Sequence, residues 1–263
     1  MNILASKVSR PRWIGFKTLV RRECIVIVRF WSITLAPPAV MTVLYFVVFG
    51  QVIGPRIAGA GGVDYVHYLA PGLILLWVIP YSFGHTAAGL LGARSFKFIE
   101  EVLVSPMPDW LVMIGYVVAG MIRGIVVGII AGLATLLFVQ LNIHSVFVSV
   151  VVLSLTAFVA ALGGFITGLF AKSFDQVTLI QGSILTPLTY LGGVFASVAT
   201  LPKWAQILSA ANPMFYMVDA FRYGFLGVSE VPPATAVTII TVLGILLLMA
   251  GTKLLTNGSG VRE

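Results

Sequence analysis

Charged residues are scarce in this chain of 263 residues, of which 10% are charged and 59% are hydrophobic. A soluble globular protein has about 25% charged residues. The mean hydropathy of +1.05 also indicates a strongly apolar chain. The scarcity of charge therefore excludes a soluble protein and predicts an integral membrane protein.

Cysteine is almost absent. Cys24 is the only one, so an intrachain disulfide and a cysteine metal cluster are both excluded. The three histidines, His67, His85 and His144, are dispersed and form no HExxH motif. We therefore expect no metal site.

Catalytic motifs are missing as well. No GxxxxGK[ST] phosphate loop occurs, so the chain does not bind ATP through that motif. The GxSG motif of intramembrane serine proteases also fails, because Ile184 follows Gly182 and Ser183. We expect neither an enzyme nor a cofactor bound by this chain.

Positive charge, by contrast, is concentrated at the start of the chain. Residues 1–32 hold seven Lys and Arg residues and a single acid, Glu23. Such a segment beside a membrane span is typical of a cytoplasmic anchor on anionic lipid, whereas no soluble domain is left to bind nucleic acid. Within 12–31, apolar residues recur at helical spacing opposite Arg21 and Arg22, which predicts an amphipathic interfacial helix. The apolar stripe comprises Trp13, Phe16, Val20, Cys24, Ile27 and Trp31.

Six apolar segments follow, each near the ~20 residues that cross a bilayer. We predict an all-α membrane protein with one six-span domain at 33–254, preceded by the basic helix and followed by a cytoplasmic tail at 255–263. The predicted spans are 33–54, 67–91, 111–138, 146–170, 177–197 and 234–254.

The distribution of positive charge predicts the orientation. If the N-terminus is cytoplasmic, twelve of the 16 Lys and Arg residues fall in inner segments. Only Arg56, Lys203 and Arg222 fall in outer segments. This asymmetry follows the positive-inside rule, so we predict that both termini are cytoplasmic.

A short polar segment at 95–108 separates the second and third spans. Ser95 can cap a helix there and Pro106 can end it. The spacing favours an amphipathic helix that lies on the membrane surface and is open to a soluble partner, although a plain connecting loop fits the composition equally well. The apolar face holds Phe96, Ile99 and Leu103, and the polar side holds Glu100 and Glu101.

The outer connection at 198–233 is too apolar for a free loop. Asn212 can cap a helix that has Pro213 at its first position. Asp219 and Arg222 are three residues apart, so they can pair on the surface of that helix. We predict a helical hairpin that dips into the outer leaflet before the last span.

Small residues recur at every fourth position in three of the spans. Stripes of this kind let helix backbones approach closely, either within one bundle or between two copies. The stripes are Gly84, Ala88 and Gly92; Gly120, Gly124, Gly128 and Gly132; and Ala160, Gly164 and Gly168.

Arg123 is the one strong charge inside a span, about 18 Å from its start at 1.5 Å per residue. A charge at that depth costs at least ~2.5 kcal/mol, and no span contains an acid to neutralise it. Arg123 has two possible roles. It either contacts an anionic substrate or forms part of a gate, or it is a structural group that binds backbone carbonyls or buried water. His85 fits a packing role or a place on a transport path. The same alternatives, core or path, apply to the aromatic residues Tyr45, Tyr81, Tyr190 and Phe195.

Taken together, four stretches resemble the permeases of the ABC type-2 exporter family. The resemblance covers about residues 12–254, and it is strongest to small bacterial inner-membrane permeases related to nodulation-factor and drug exporters. The stretches are LAPPAVMTVLYFVVFG at 35–50, IEEVLVSPMP at 99–108, LTPLTYLGGVF at 185–195 and NPMFYMVDAFRYGFLG at 212–227.

This resemblance implies a six-span subunit that pairs with a second copy of itself. It implies two separate ATP-binding subunits that carry the ATP and Mg²⁺. The segment 95–108 would be a coupling helix, and the N-terminal helix around Arg21 and Arg22 a second contact. No large outer domain is present that would indicate the substrate.

We therefore expect the membrane half of an ATP-driven exporter in a bacterial inner membrane. Its substrate is unknown and stays open among glycan, lipid and drug. The alternative is a stand-alone channel or secondary carrier. A carrier normally requires titratable groups in its spans, and these spans offer only His85 and Arg123, which disfavours it.

Overall fold

The computed structural model describes residues 2–54, 64–98, 107–140 and 143–258. Within these ranges the chain is helical and contains no strand, which confirms the all-α prediction. The helices are α1 Asn2–Arg29, α2 Trp31–Tyr45 with a π-helical continuation Phe46–Ile53, α3 Tyr65–Ser95, α4 Asp109–Thr135, α5 Val146–Phe170, α6 Phe174–Ile180, α7 Thr186–Leu191, α8 Lys203–Ala211, α9 Pro213–Leu226 and α10 Pro233–Thr256.

Among the described residues, five helices are long and apolar enough to cross a membrane: α2 with its continuation, α3, α4, α5 and α10. The predicted fifth span, 177–197, overlaps a continuous helical run from Phe174 to Leu191, which is made irregular by the π-helical turn Gln181–Leu185 between α6 and α7. Pro187 accounts for the irregularity, because it has no N–H to donate to the preceding turn. The run ends at Leu191, so the count of six spans stays a prediction.

Helix α3 lies at the centre of the bundle. Of its most apolar window 72% is buried, whereas the corresponding fraction in α10 is 22%. Glycines allow α4 and α5 to approach it closely. A Cβ at Gly120 of α4 would lie 2.8 Å from the carbonyl oxygen of Ser82, and one at Gly164 of α5 would overlap the carbonyl oxygen of Phe83. These two stripes therefore serve packing within one subunit rather than self-association.

Helix α1 confirms the predicted N-terminal helix, but it turns a different face to the bundle. Leu19 packs on Gly115 of α4, and Glu23 continues the buried face. Trp13 and Trp31, which belong to the predicted stripe, are 58% and 62% exposed. The close approach at Gly115 decides which side of the helix meets protein, and the predicted interfacial position of the apolar stripe stays a prediction.

The two ends of the bundle differ in charge. At one end, Arg22 of α1 donates to Tyr116 of α4, and Arg94 of α3 donates to the carbonyl oxygens of Gly168 and Ala171. We call this the basic end, and α8 and α9 lie at the opposite end. Basic residues that are predicted to be cytoplasmic thus share one end, as the predicted orientation requires.

Helices α8 and α9 form the predicted hairpin. Oδ1 of Asn212 accepts a hydrogen bond from the N–H of Met214 at 3.0 Å, with Pro213 at the first position of α9. Asp219 and Arg222 do pair, with 3.9 Å between Oδ1 and Nη1, but the expected surface location is wrong, since their side chains are 0% and 1% exposed. The prediction assumed a helix with one free side, whereas α9 packs against α3, α5 and α10.

Candidate functional site

Four polar side chains meet inside the bundle, one from each of α1, α2, α3 and α4. Arg123 donates from Nη1 to Nδ1 of His85 at 2.9 Å and from Nη2 to Oγ1 of Thr34 at 3.1 Å. Nε2 of His85 lies 3.8 Å from Oε2 of Glu23. We call Glu23, Thr34, His85 and Arg123 the polar cluster.

The hydrogen bond from Arg123 fixes the protonation of His85. A guanidinium stays protonated and has no acceptor, so Nδ1 of His85 must accept. The imidazole is therefore neutral, with its proton on Nε2, the nitrogen that faces Glu23. A separation of 3.8 Å is too long for a hydrogen bond, so Glu23 acts on His85 only through its charge.

Glu23 is bound more tightly by Arg22, at the basic end, than by His85. Its Oε1 accepts from Nη2 of Arg22 at 2.7 Å and from Nε at 3.1 Å, and Nη2 also donates to the hydroxyl of Tyr116. Burial lowers the pKa of Arg22, but the hydrogen bonds and charges of Glu23 and Tyr116 outweigh it and raise the pKa overall. Arg22 thus remains a cationic partner for Glu23.

Glu23 is a residue of the polar cluster that its sequence pattern did not reveal. The spans contain no acid, but α1 brings one beside His85. Glu23 lies four residues after Leu19 and four before Ile27, and all three are buried on one helix face. That spacing was the available signal, because residues four apart share a face.

A cavity of about 260 Å³ lies beside the polar cluster. Arg123 and His85 line it, while α6 and its π-helical turn contribute Phe174 and Gln181. Gln181 approaches α3 at Gly84, where a Cβ would lie 2.7 Å from its Oε1. The cavity therefore combines a cation and an amide with apolar wall.

The four aromatic residues singled out in the sequence belong to one cluster. The ring centroid of Phe195 lies 5.7 Å from Tyr45 and 5.4 Å from Tyr190. Trp77 links Tyr45 to Tyr81 at 6.3 and 6.4 Å, and Tyr81 lies 5.7 Å from the guanidinium of the polar cluster. We call this group the aromatic cluster; its members are Tyr45, Phe49, Trp77, Tyr81, Tyr190 and Phe195.

The residues predicted to contact a soluble partner lie at the basic end, as far as they are described. Phe96 is 69% exposed, and Arg21 is exposed while Arg22 is bound to Glu23. Ser95 does not cap a new helix, because it is the last residue of α3. The remaining members lie outside the described residues: Ile99, Glu100, Glu101, Leu103 and Pro106.

A second buried charge network surrounds α9 at the opposite end. Nη2 of Arg222 donates to the carbonyl oxygen of Gly193 at 2.5 Å, and its guanidinium lies 3.9 Å from the ring centroid of Tyr68. Asp219 accepts from two backbone N–H groups of the α9–α10 connection at 2.9 and 3.0 Å. Burial raises the pKa of Asp219, although the hydrogen bonds from these N–H groups lower it in part. Burial lowers the pKa of Arg222. The network ties the hairpin to α3 and to the turn at Gly193, which is a structural role.

The chain is similar to a known transporter family and to individual proteins. A model of the family described as ABC-2 type transporter matches residues 14–226. The chain is 40% identical over 251 residues to the inner membrane transport permease YadH of Escherichia coli K12, covering 95% of this chain and 98% of that protein. It is 20% identical over 186 residues to nodulation protein J of Rhizobium leguminosarum biovar viciae, covering 70% and 72%.

Proposed function

The chain belongs to the ABC-2 type transporter family, and from that membership we propose that it is the permease subunit of an ATP-driven exporter in a bacterial inner membrane. Two separate subunits would bind and hydrolyse ATP, since this chain has no phosphate loop. The observation that carries the proposal is the family match over 14–226, together with five helices long enough to cross a membrane.

The transport path would run between two copies of the chain. The cavity and the aromatic cluster lie on one side of α3, between α2 and the α6–α7 run, since Thr34 reaches Arg123 and Tyr45 meets Tyr190. Only 28% of the apolar window of α2 is buried. A second copy that covers this face would enclose the cavity between the subunits, whereas lipid would leave it open to the side. The large exposed side chains there are Ile33, Val40, Leu44, Leu179 and Ile184.

The ATP-binding subunits would dock at the basic end. Phe96 and Phe98 are 69% and 50% exposed at the end of α3, and solvent-exposed aromatic residues in such a position are typical of interface contacts. The predicted coupling residues from Ile99 to Pro106 continue directly from them. Arg21 on α1 would give a second contact, and both termini would be cytoplasmic in this arrangement.

A proton-coupled secondary carrier is the second candidate, and Glu23 gives it specific support. The predicted spans contain no carboxylate, which by itself disfavours a carrier. Glu23 is 6% exposed and lies 3.8 Å from His85, which supplies such a group. Its two hydrogen bonds with Arg22 favour a fixed ion pair over a proton carrier, so we keep the exporter as the main proposal.

Transport assays with proteoliposomes distinguish the two candidates. The purified permease would be reconstituted with the ATP-binding protein that co-purifies with it, and movement of a fluorescent amphiphile would be measured. The exporter requires ATP, and a hydrolysis-deficient variant of the ATP-binding protein should stop movement completely. Movement that continues without ATP and stops when the proton gradient is collapsed would establish the carrier instead.

A further inference from the structure

The polar cluster and Arg22 together carry more positive charge than their one acid, Glu23, neutralises. Arg22 and Glu23 form an ion pair at 2.7 Å, and His85 is neutral in the tautomer fixed by Arg123. The partners of Arg123 are therefore the neutral groups His85 and Thr34, and no carboxylate in the described ranges lies within 4.0 Å of its guanidinium. One positive charge is left over, 14 residues into α4 and about 21 Å along it.

The guanidinium of Arg123 also has unused hydrogen-bond donors. It carries five N–H groups, and the contacts to His85 and Thr34 use two of them. Nε is buried and has no acceptor among the described residues. A buried donor without a partner is costly, so a ligand that supplied acceptor oxygens would be favoured. Arginine matches phosphate and carboxylate oxygens in particular, because its planar fork can bind two at once.

The cavity beside Arg123 has room for such a group. Its volume of about 260 Å³ compares with ~30 Å³ for one water molecule. The amide of Gln181 adds a second polar contact, while Phe174 and Val177 supply apolar wall. The aromatic cluster continues from Tyr81 towards the opposite end and offers surface for an apolar tail.

We propose that this cavity binds the oxyanion, phosphate or carboxylate, of an amphiphilic substrate, with Arg123 as the main contact and the tail along the aromatic cluster. This inference rests on the proposed function, because it identifies the chemical class of the transported molecule. A cationic ligand is disfavoured by the uncompensated charge of Arg123. A free inorganic anion would leave the apolar wall without a partner.

Equilibrium binding to the purified full-length permease in neutral maltoside micelles tests the proposal. The probes are radiolabelled dodecyl phosphate, dodecyltrimethylammonium of the same chain length, and inorganic phosphate. Dodecyl phosphate should bind saturably, and Arg123→Gln should weaken it ~10-fold or more, as expected for loss of a charged hydrogen bond. Arg123→Lys should retain part of the affinity. Lys172→Gln, which neutralises an exposed lysine, should leave binding unchanged.

A second variant covers the case in which Arg123→Gln does not fold. Thr178 is exposed and lines the cavity, so Thr178→Trp should fill the cavity and abolish binding with Arg123 in place. Equal binding of the ammonium probe, full competition by inorganic phosphate at equal concentration, or normal binding by a folded Arg123→Gln or Thr178→Trp variant would each overturn the proposal. These measurements use neither ATP nor a partner, so the absence of ATP-driven export would refute the proposed function and leave the anion site standing.

Discussion

Replacing Glu23 by Gln tests how α1 is attached to the bundle. Glu23 is 6% exposed and accepts two hydrogen bonds from Arg22 at 2.7 and 3.1 Å. A hydrogen bond to a charged group contributes ~1.5–3 kcal/mol, against ~0.5–1.5 kcal/mol for a neutral pair. Gln keeps one acceptor oxygen but loses the charge. The side chain of Arg22 is 43% exposed, so water can replace part of the lost interaction with Glu23. We therefore expect the free energy of unfolding to fall by ~2 kcal/mol.

The assay is unfolding of the purified permease in mixed micelles of increasing dodecyl sulfate content, followed by tryptophan fluorescence. Asp175→Asn is the control, because it removes an exposed acid at the start of α6 and should cost no more than ~1 kcal/mol. The double variant Glu23→Gln with Arg22→Gln should recover part of the stability, since two amides can pair without leaving a charge unmatched. If Glu23→Gln loses no more stability than Asp175→Asn, the ion pair does not stabilise α1 and the reasoning is wrong.

Three further predictions concern packing, the buried network and orientation. Gly164→Ala should cost ~1–3 kcal/mol because its Cβ meets backbone, whereas Gly182→Ala, with no neighbouring atom within 4 Å, should be neutral in the same unfolding assay. Asp219→Asn should cost ~1–3 kcal/mol, because one of the two backbone N–H groups loses its acceptor and the buried Arg222 loses its counter-ion; unchanged stability would contradict the geometry of the network. In a cysteine-free background, an impermeant thiol reagent added from outside should label a cysteine at position Ala199 but not one at Lys97, and the reverse pattern would overturn the predicted orientation.

Local sequence signals predicted the parts of the fold that depend on neighbouring residues. Asn212 followed by Pro213 predicts the start of α9, because a cap and a first-turn proline act within three residues. The glycine spacing on α4 and α5 predicts close helix packing, although the sequence does not identify α3 as the common partner. Pro187 was visible, but the periodicity of the segment did not reveal the π-helical turn between α6 and α7.

The candidate site was only partly predictable, since its contacts join distant parts of the chain. Arg123 and His85 stood out as polar residues in apolar spans. Their relation to Glu23 depends on which face of α1 meets α4, and the apolar stripe of that helix does not specify this. Arg222 appeared to be a surface residue because its partner Gly193 lies 29 residues away.

The assembly is the central claim, and native mass spectrometry of the intact complex tests it most directly. The complex would be purified from its own host membrane through a tag on this chain and released from maltoside micelles in the spectrometer. We predict two copies of the 28.2 kDa chain together with two copies of a nucleotide-binding protein. A single copy of the chain, or a dimer that never carries a nucleotide-binding partner, would contradict the proposal.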